Sequence, residues 1–216
     1  MKKGLTELVF IMDCSGSMHG MEKDTIGGFN ATVEEQRKKE GEVLVSAVLF
    51  DNDSRVVYDR VPMKKVEPMT EKTYFVGGCT ALMDAMGGAM HHIGNVHKYA
   101  REEDRPEHTV FVIITDGYEN ASVRYSTEQV RQMVTRQKEK YGWEFLFLGA
   151  NIDAVEAAGA FGIDASRASD YVCDSAGTGA VYRSVSRAVM YVRENACMPD
   201  CWNEEIKEDM KKRKQN

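Results

Sequence analysis

Short apolar, β-branched runs alternate along this chain with longer stretches in which apolar residues recur at helical spacing. That alternation is the pattern of a parallel sheet covered by helices. Strands are expected at Glu7 to Met12, Val43 to Phe50, Arg55 to Val61, Thr109 to Thr115, Glu144 to Leu148 and Asp170 to Cys173. Only Asp51-Asn52-Asp53-Ser54 separates the second from the third, too little chain for a parallel crossover. Those two are expected to pair as an antiparallel hairpin, with one of them at a sheet edge. The expected class is therefore an open α/β sheet, mostly parallel with one antiparallel edge strand and with helices on both faces.

Between the strands, Ile26, Phe29 and Val33 mark one amphipathic helix, with Gly41 as its stop and Gly27-Gly28 as a weak spot. Met83, Met86, Met90 and Ile93 mark a second, whose methionine stripe reads as a core-facing surface. A third opens with Ser126 and Gln129 spaced as a capping box, buries Val130, Met133 and Val134, and stops at Gly142. A shorter helix is expected from Asp153 to Ala160. The last long one carries Val181, Val185, Val189 and Val192 and opens at Asp174-Ser175-Ala176-Gly177-Thr178-Gly179. After Pro199 the character changes. Glu204, Glu205, Glu208 and Asp209 precede Lys211, Lys212, Arg213 and Lys214, as in an exposed helix supported by Glu208 with Lys212 and Asp209 with Arg213. The expected division is a domain over 1–196 and a charged, helical, solvated tail over 197–216.

The length of 216 residues suits one domain with a short appendage. A formal charge of −6 argues against a general nucleic-acid or membrane-surface role, because affinity for phosphate backbones comes mainly from Lys and Arg. Lys2 and Lys3 precede an apolar stretch too short for a signal-peptide core, and no run approaches the roughly 20 apolar residues of a membrane span. A cytoplasmic protein is expected. The five cysteines, Cys14, Cys79, Cys173, Cys197 and Cys201, are odd in number and lack CxxC spacing, which fits reduced thiols.

In an open α/β sheet, ligands bind beyond the carboxyl ends of the parallel strands. Three segments converge there: Asp13-Cys14-Ser15-Gly16-Ser17, Gly77-Gly78-Cys79-Thr80-Ala81-Leu82 and Thr115-Asp116-Gly117. Each brings hydroxyl or carboxylate oxygen, the donor set of a hard cation. Other residues read more plainly. Cys14 and Cys79 read as small space-filling thiols, and His91, His92 and His97 as surface or core-edge side chains. Glu119 and Asn120 are close enough in sequence to reach the rim of the site, or else stabilise their loop. Gly177-Thr178-Gly179 reads as a helix cap, since it lacks the lysine of a phosphate-binding loop.

In this order the three segments resemble the von Willebrand factor A, or integrin I-like, family and its metal-ion-dependent adhesion site. The family pattern Asp-x-Ser-x-Ser, a distant Thr and a distant Asp reads here as Asp13, Ser15, Ser17, Thr80 and Asp116, and the likeness spans roughly Leu5 to Glu194. It implies a three-layer Rossmann-like fold and a bound Mg²⁺, with Mn²⁺ as a substitute. Ser15 and Ser17 would then meet the cation directly, Thr80 directly or through water, and Asp13 and Asp116 through coordinated waters. It also implies a non-catalytic module that captures a Glu or Asp carboxylate of a protein partner. Some intracellular bacterial relatives serve multiprotein assemblies with AAA+ ATPases. The rival expectation is a Mg²⁺-dependent hydrolase or phosphoryl-transfer enzyme using the same metal site.

Overall fold

Along the first strand, successive side chains enter two different cores. Leu8, Phe10 and Met12 face one, while Val9 and Ile11 face the other. A strand's side chains point alternately to opposite faces, so a run buried throughout must lie in the middle of a covered sheet. The same division recurs in Val110, Val112 and Ile114 against Phe111 and Ile113, and in Leu146 and Leu148 against Phe145 and Phe147.

A computed structural model describes residues 1–214. Its strands are β1 (Lys2–Asp13), β2 (Glu42–Phe50), β3 (Ser54–Pro62), β4 (Pro106–Thr115), β5 (Glu144–Ala150) and β6 (Ala168–Tyr171). They form a six-stranded sheet in the order β3-β2-β1-β4-β5-β6. All pairs are parallel except β2 with β3, which is the expected hairpin at the edge. The helices are α1 (Glu22–Arg37), α2 (Leu82–Tyr99), α3 (Thr127–Tyr141), α4 (Ala154–Ala160), α5 (Ser175–Asn195) and α6 (Glu204–Arg213). Residues of α1, α5 and α6 pack into one core and residues of α2, α3 and α4 into the other, so the sheet is covered on both faces.

Local signals explain most boundaries. Ser126 and Gln129 form the reciprocal capping box of α3, and Gly142 ends it in the left-handed region at φ 65°. Asp153 and Asp174 accept from the backbone amides of Glu156 and Gly177 and so cap α4 and α5. Helix α1 stops at Arg37, before Gly41, whose φ of 90° serves instead the turn into β2. Gly28 of its glycine pair has a packing cause: a Cβ there would stand 2.1 Å from the Tyr182 ring of α5.

The solvated tail is corrected. Met198, Trp202 and Ile206 are buried in the same core as β1, and the Trp202 indole N–H donates to the Ser166 carbonyl at 2.8 Å. Glu205 pairs with Arg183 and Arg187 of α5, while Arg213 pairs with Asp174. Few apolar residues interrupt the charge run, and these few are enough to dock the helix. Asp209 with Arg213 is present as expected, whereas Glu208 and Lys212 form no ion pair among the described residues.

Candidate metal centre

The parallel register brings the ends of the central strands level. Met12 lies beside Leu49 and Ile114, and Thr115 beside Gly149. Asp13 therefore emerges next to Thr115 and Asp116, which follow from β4.

Asp13 is 1% exposed, and each of its carboxylate oxygens has a partner. Oδ1 accepts from the Ser15 amide at 2.8 Å, and Oδ2 accepts from the Thr115 hydroxyl at 2.7 Å. The Ser17 hydroxyl donates to Oδ1 of Asp116 at 2.6 Å. Ser15 Oγ lies 3.0 Å from Ser17 Oγ, and because the single Ser17 proton is already given to Asp116, Ser15 is the donor. Both serine oxygens thus keep lone pairs. Thr80 is buried on its own loop, and its hydroxyl and that of Ser17 lie 3.6 and 3.7 Å from the position a Cβ on Gly117 would take. The five expected residues are thus brought together at one end of the sheet, with Ser17 exposed and the others buried.

The loops are tied to each other through their backbones. Gly16 N–H donates to the Gly78 carbonyl at 3.1 Å and Gly77 N–H to the Cys14 carbonyl at 2.9 Å. The buried Tyr74 hydroxyl donates to the Asp13 carbonyl at 2.5 Å. Thr80 and Asn120 bond reciprocally, the Thr80 amide to Asn120 Oδ1 at 2.9 Å and the Asn120 amide to the Thr80 carbonyl at 3.0 Å. Asn52 Oδ1 accepts from the Cys79 amide, and its side chain occupies the space a Cβ on Gly78 would need. Glu119 receives the amides of Met83, Ala121 and Ser122, so it holds its loop onto the start of α2 and has little left for a ligand. Asp84 accepts the amides of Val123, Arg124 and Tyr125. Sequence reasoning missed Tyr74, Asn52 and Asp84, which carry no motif and act through chain brought close only by folding.

Neither carboxylate of the site has an ion-pair partner among the described residues; the nearby guanidinium of Arg55 acts on Cys14. Burial raises the Asp13 carboxyl above its ordinary value, against the lowering effect of its Ser15 and Thr115 hydrogen bonds. Burial, with Asp13 itself adding to it, does the same to Asp116. Two buried carboxylates and three hydroxyls without a basic partner fit an oxygen-preferring cation. No group of three or more His, Cys, Asp or Glu is placed to hold a metal among the described residues. That composition is the one for soft or acidic centres, and the present set has only two carboxylates.

Of the neighbouring thiols, Cys79 is exposed rather than space-filling, whereas Cys14 and Cys173 are held toward the protonated form. Cys14 is buried and donates to the Phe50 carbonyl at 3.2 Å, and burial pushes its pKa up to about 11. Cys173, whose Sγ lies 4.0 Å from Asp116 Oδ2, is pushed up to about 11 by burial and by Asp116. His92 pairs with Asp59, and His97 with Glu7.

A family model described as "VWA domain containing CoxE-like protein" matches residues 2–143. No curated protein sequence matches the chain. Among solved structures, the chain is similar to the PilB minor pilin from Streptococcus sanguinis, at a TM-score of 0.62 and 10% identity over 90% of this chain and 63% of that one. It is similar to the von Willebrand factor type A protein from Catenulispora acidiphila, at 0.54 and 16% over 88% and 43%. It is also similar to proximal thread matrix protein 1 of the mussel byssus, in the form with a zinc-occupied MIDAS motif, at 0.56 and 16% over 91% and 46%. The chain thus spans only about half to two thirds of these proteins, and at such identity they speak for the fold.

Proposed function

The chain belongs to the family of VWA domain containing CoxE-like proteins, and from that premise we propose that it is a metal-ion-dependent protein-binding module. Asp13, Ser15, Ser17, Thr80 and Asp116 would hold Mg²⁺, or Mn²⁺ in its place. When bound, the cation supplies a coordination position for a Glu or Asp carboxylate of a partner protein. Ser15, Ser17 and Thr80 offer neutral oxygens, which leave the charge of a hard cation largely available to an incoming anion. Asp13 and Asp116 orient the surroundings, Asp13 through Thr115 and the Ser15 amide, Asp116 through Ser17.

The observation that carries this reading is the buried pair Asp13 and Asp116, linked through the two serines and forming no ion pair among the described residues. The likeness to a structure whose MIDAS motif holds zinc supports the same placement. Hydrolysis or phosphoryl transfer by the same centre is the alternative; it would rest on metal-activated water, since the adjacent Cys14 thiol, pushed up to about 11 by burial, offers no nucleophile. An adaptor within a multiprotein assembly, of which an AAA+ ATPase is one candidate member, accords with a capture role. The test is retention of proteins from source-cell extract on the immobilised chain. Retention should require Mg²⁺ and be lost on chelation and in Asp13→Ala; partners that stay bound under both conditions would refute carboxylate capture.

A further inference from the structure

Helix α6 returns the chain to the end of the sheet where the oxygen cluster lies. Glu205 pairs with Arg183 and Arg187, well along α5, whereas Arg213 reaches Asp174 at the start of α5. As α6 advances its partners on α5 recede, so the two helices are antiparallel. Asp174 follows Cys173, whose Sγ lies 4.0 Å from Asp116 Oδ2. The C-terminal end of α6 is thus linked to Asp116 by two side-chain contacts, Arg213 with Asp174 and Cys173 with Asp116, and the one peptide step between them.

The position is fixed rather than free. Trp202 and Ile206 anchor the helix in the core, and the Arg213 guanidinium grips both oxygens of Asp174 at 2.6 and 2.9 Å. Half of the acidic residues of the charge run are consumed, with Glu205 on two arginines and Asp209 on Arg213, while Glu204 and Glu208, nearer the start of α6, are exposed and form no ion pair among the described residues. Lys211, Lys212 and Lys214 are exposed and form no ion pair among the described residues. Of the acidic groups nearby, Asp174 is neutralised by Arg213, whereas Asp24 accepts only from the Ser175 hydroxyl and stands unpaired, one carboxylate against three lysines. A chain of net charge −6 therefore presents unspent positive charge beside the proposed capture site.

We propose that Lys211, Lys212 and Lys214 form a second arm of the docking surface, and that the partner segment is a run of acidic residues. One carboxylate would go to the cation and its neighbours to the lysines. This rests on the capture reading above and names the partner chemistry for it. Exposed charges of this kind steer association and weaken with salt.

The probe is a fluorescent octaglutamate peptide, followed by anisotropy with Mg²⁺ and with a chelator. The native chain is compared with Asp13→Ala and with the triple variant Lys211→Gln, Lys212→Gln, Lys214→Gln. Neutralisation is preferred to reversal because acidic residues at a helix C-terminus oppose its dipole, and an unchanged melting temperature verifies the fold. Mg²⁺-dependent binding that weakens roughly tenfold in the triple variant and loses most of its salt dependence supports the inference. Equal binding by the triple variant overturns it, and if Mg²⁺ and Asp13 still matter the capture reading stands. Binding that ignores Mg²⁺ and Asp13→Ala but collapses in the triple variant retains the lysine arm and overturns capture. Absence of binding by the native chain overturns both.

Discussion

The Ser17 hydroxyl donates to Asp116 Oδ1 at 2.6 Å, joining residues 99 positions apart in sequence. This bond fixes the first loop against the third without a metal, and it settles the direction of the Ser15–Ser17 bond as well. A cation would meet an arrangement already held in place, and ordering costs that usually oppose binding would be small.

Cation binding is therefore expected to raise thermal stability. At a Mg²⁺ concentration about 100 times the dissociation constant, linkage gives about 2.7 kcal/mol, or roughly 5–10 °C for a chain of this size. Differential scanning fluorimetry should show this rise in the native chain and none in Asp13→Ala. An equal rise in both would remove Asp13 from the site.

Asp84 should give a distinct pH signature. Burial favours its neutral form, but the amides of Val123, Tyr125 and Arg124 outweigh burial and hold it below the ordinary 3.8. A depressed carboxyl contributes stability that is fully present above the unfolded value and is lost as pH falls through the lower folded value. Asp84→Asn, which keeps the shape but not the charge, should cost about 2–4 kcal/mol at pH 7. Urea unfolding should find this difference narrowing below about pH 4; a constant gap would mean that charge is immaterial there.

The two adjacent glycines of α1 should respond oppositely to alanine. Gly27 faces open space, so Gly27→Ala should stabilise by about 0.5–1 kcal/mol through helix propensity. Gly28→Ala would drive a methyl into the Tyr182 ring and should destabilise by about 1–3 kcal/mol or more. Chemical denaturation of the pair decides whether the α1–α5 contact is as close as described.

Trp202→Ala tests the docked C-terminal helix. Loss of a buried indole and its bond to Ser166 should cost about 3–5 kcal/mol. A tail lying in solvent would leave stability unchanged.

Hydrophobic period and strand-end oxygens made much of this molecule readable. The runs in β1, β4 and β5 are apolar on both faces, which only a central parallel strand requires, and the short connection between β2 and β3, Asp51 to Asp53, dictated a hairpin. Asp13, Ser15, Ser17 and Asp116 could be placed together because each ends or follows such a run, and Thr80, which follows a glycine pair at the start of a helix, joined them through the resemblance to the family pattern. Tyr74, Asn52 and Asp84 could not. They stabilise backbone groups of segments distant in sequence, and no local spacing encodes that. The C-terminal helix was obscured for another reason: Trp202 and Ile206 are isolated apolar residues in a charged stretch, and their burial depends on the surface that α5 and Ser166 provide.

The ties between the site's loops also bear on which ion could be accepted. Tyr74 engages the Asp13 carbonyl, Gly77 that of Cys14, Gly16 that of Gly78 and Asn120 that of Thr80. Calcium gathers about six to eight oxygens and commonly recruits main-chain carbonyls, whereas magnesium is content with fewer protein ligands and retained water. With those carbonyls held toward N–H and O–H donors, turning their second lone pair to an ion would strain the bonds that rigidify the loops, so backbone order would disfavour the larger ion.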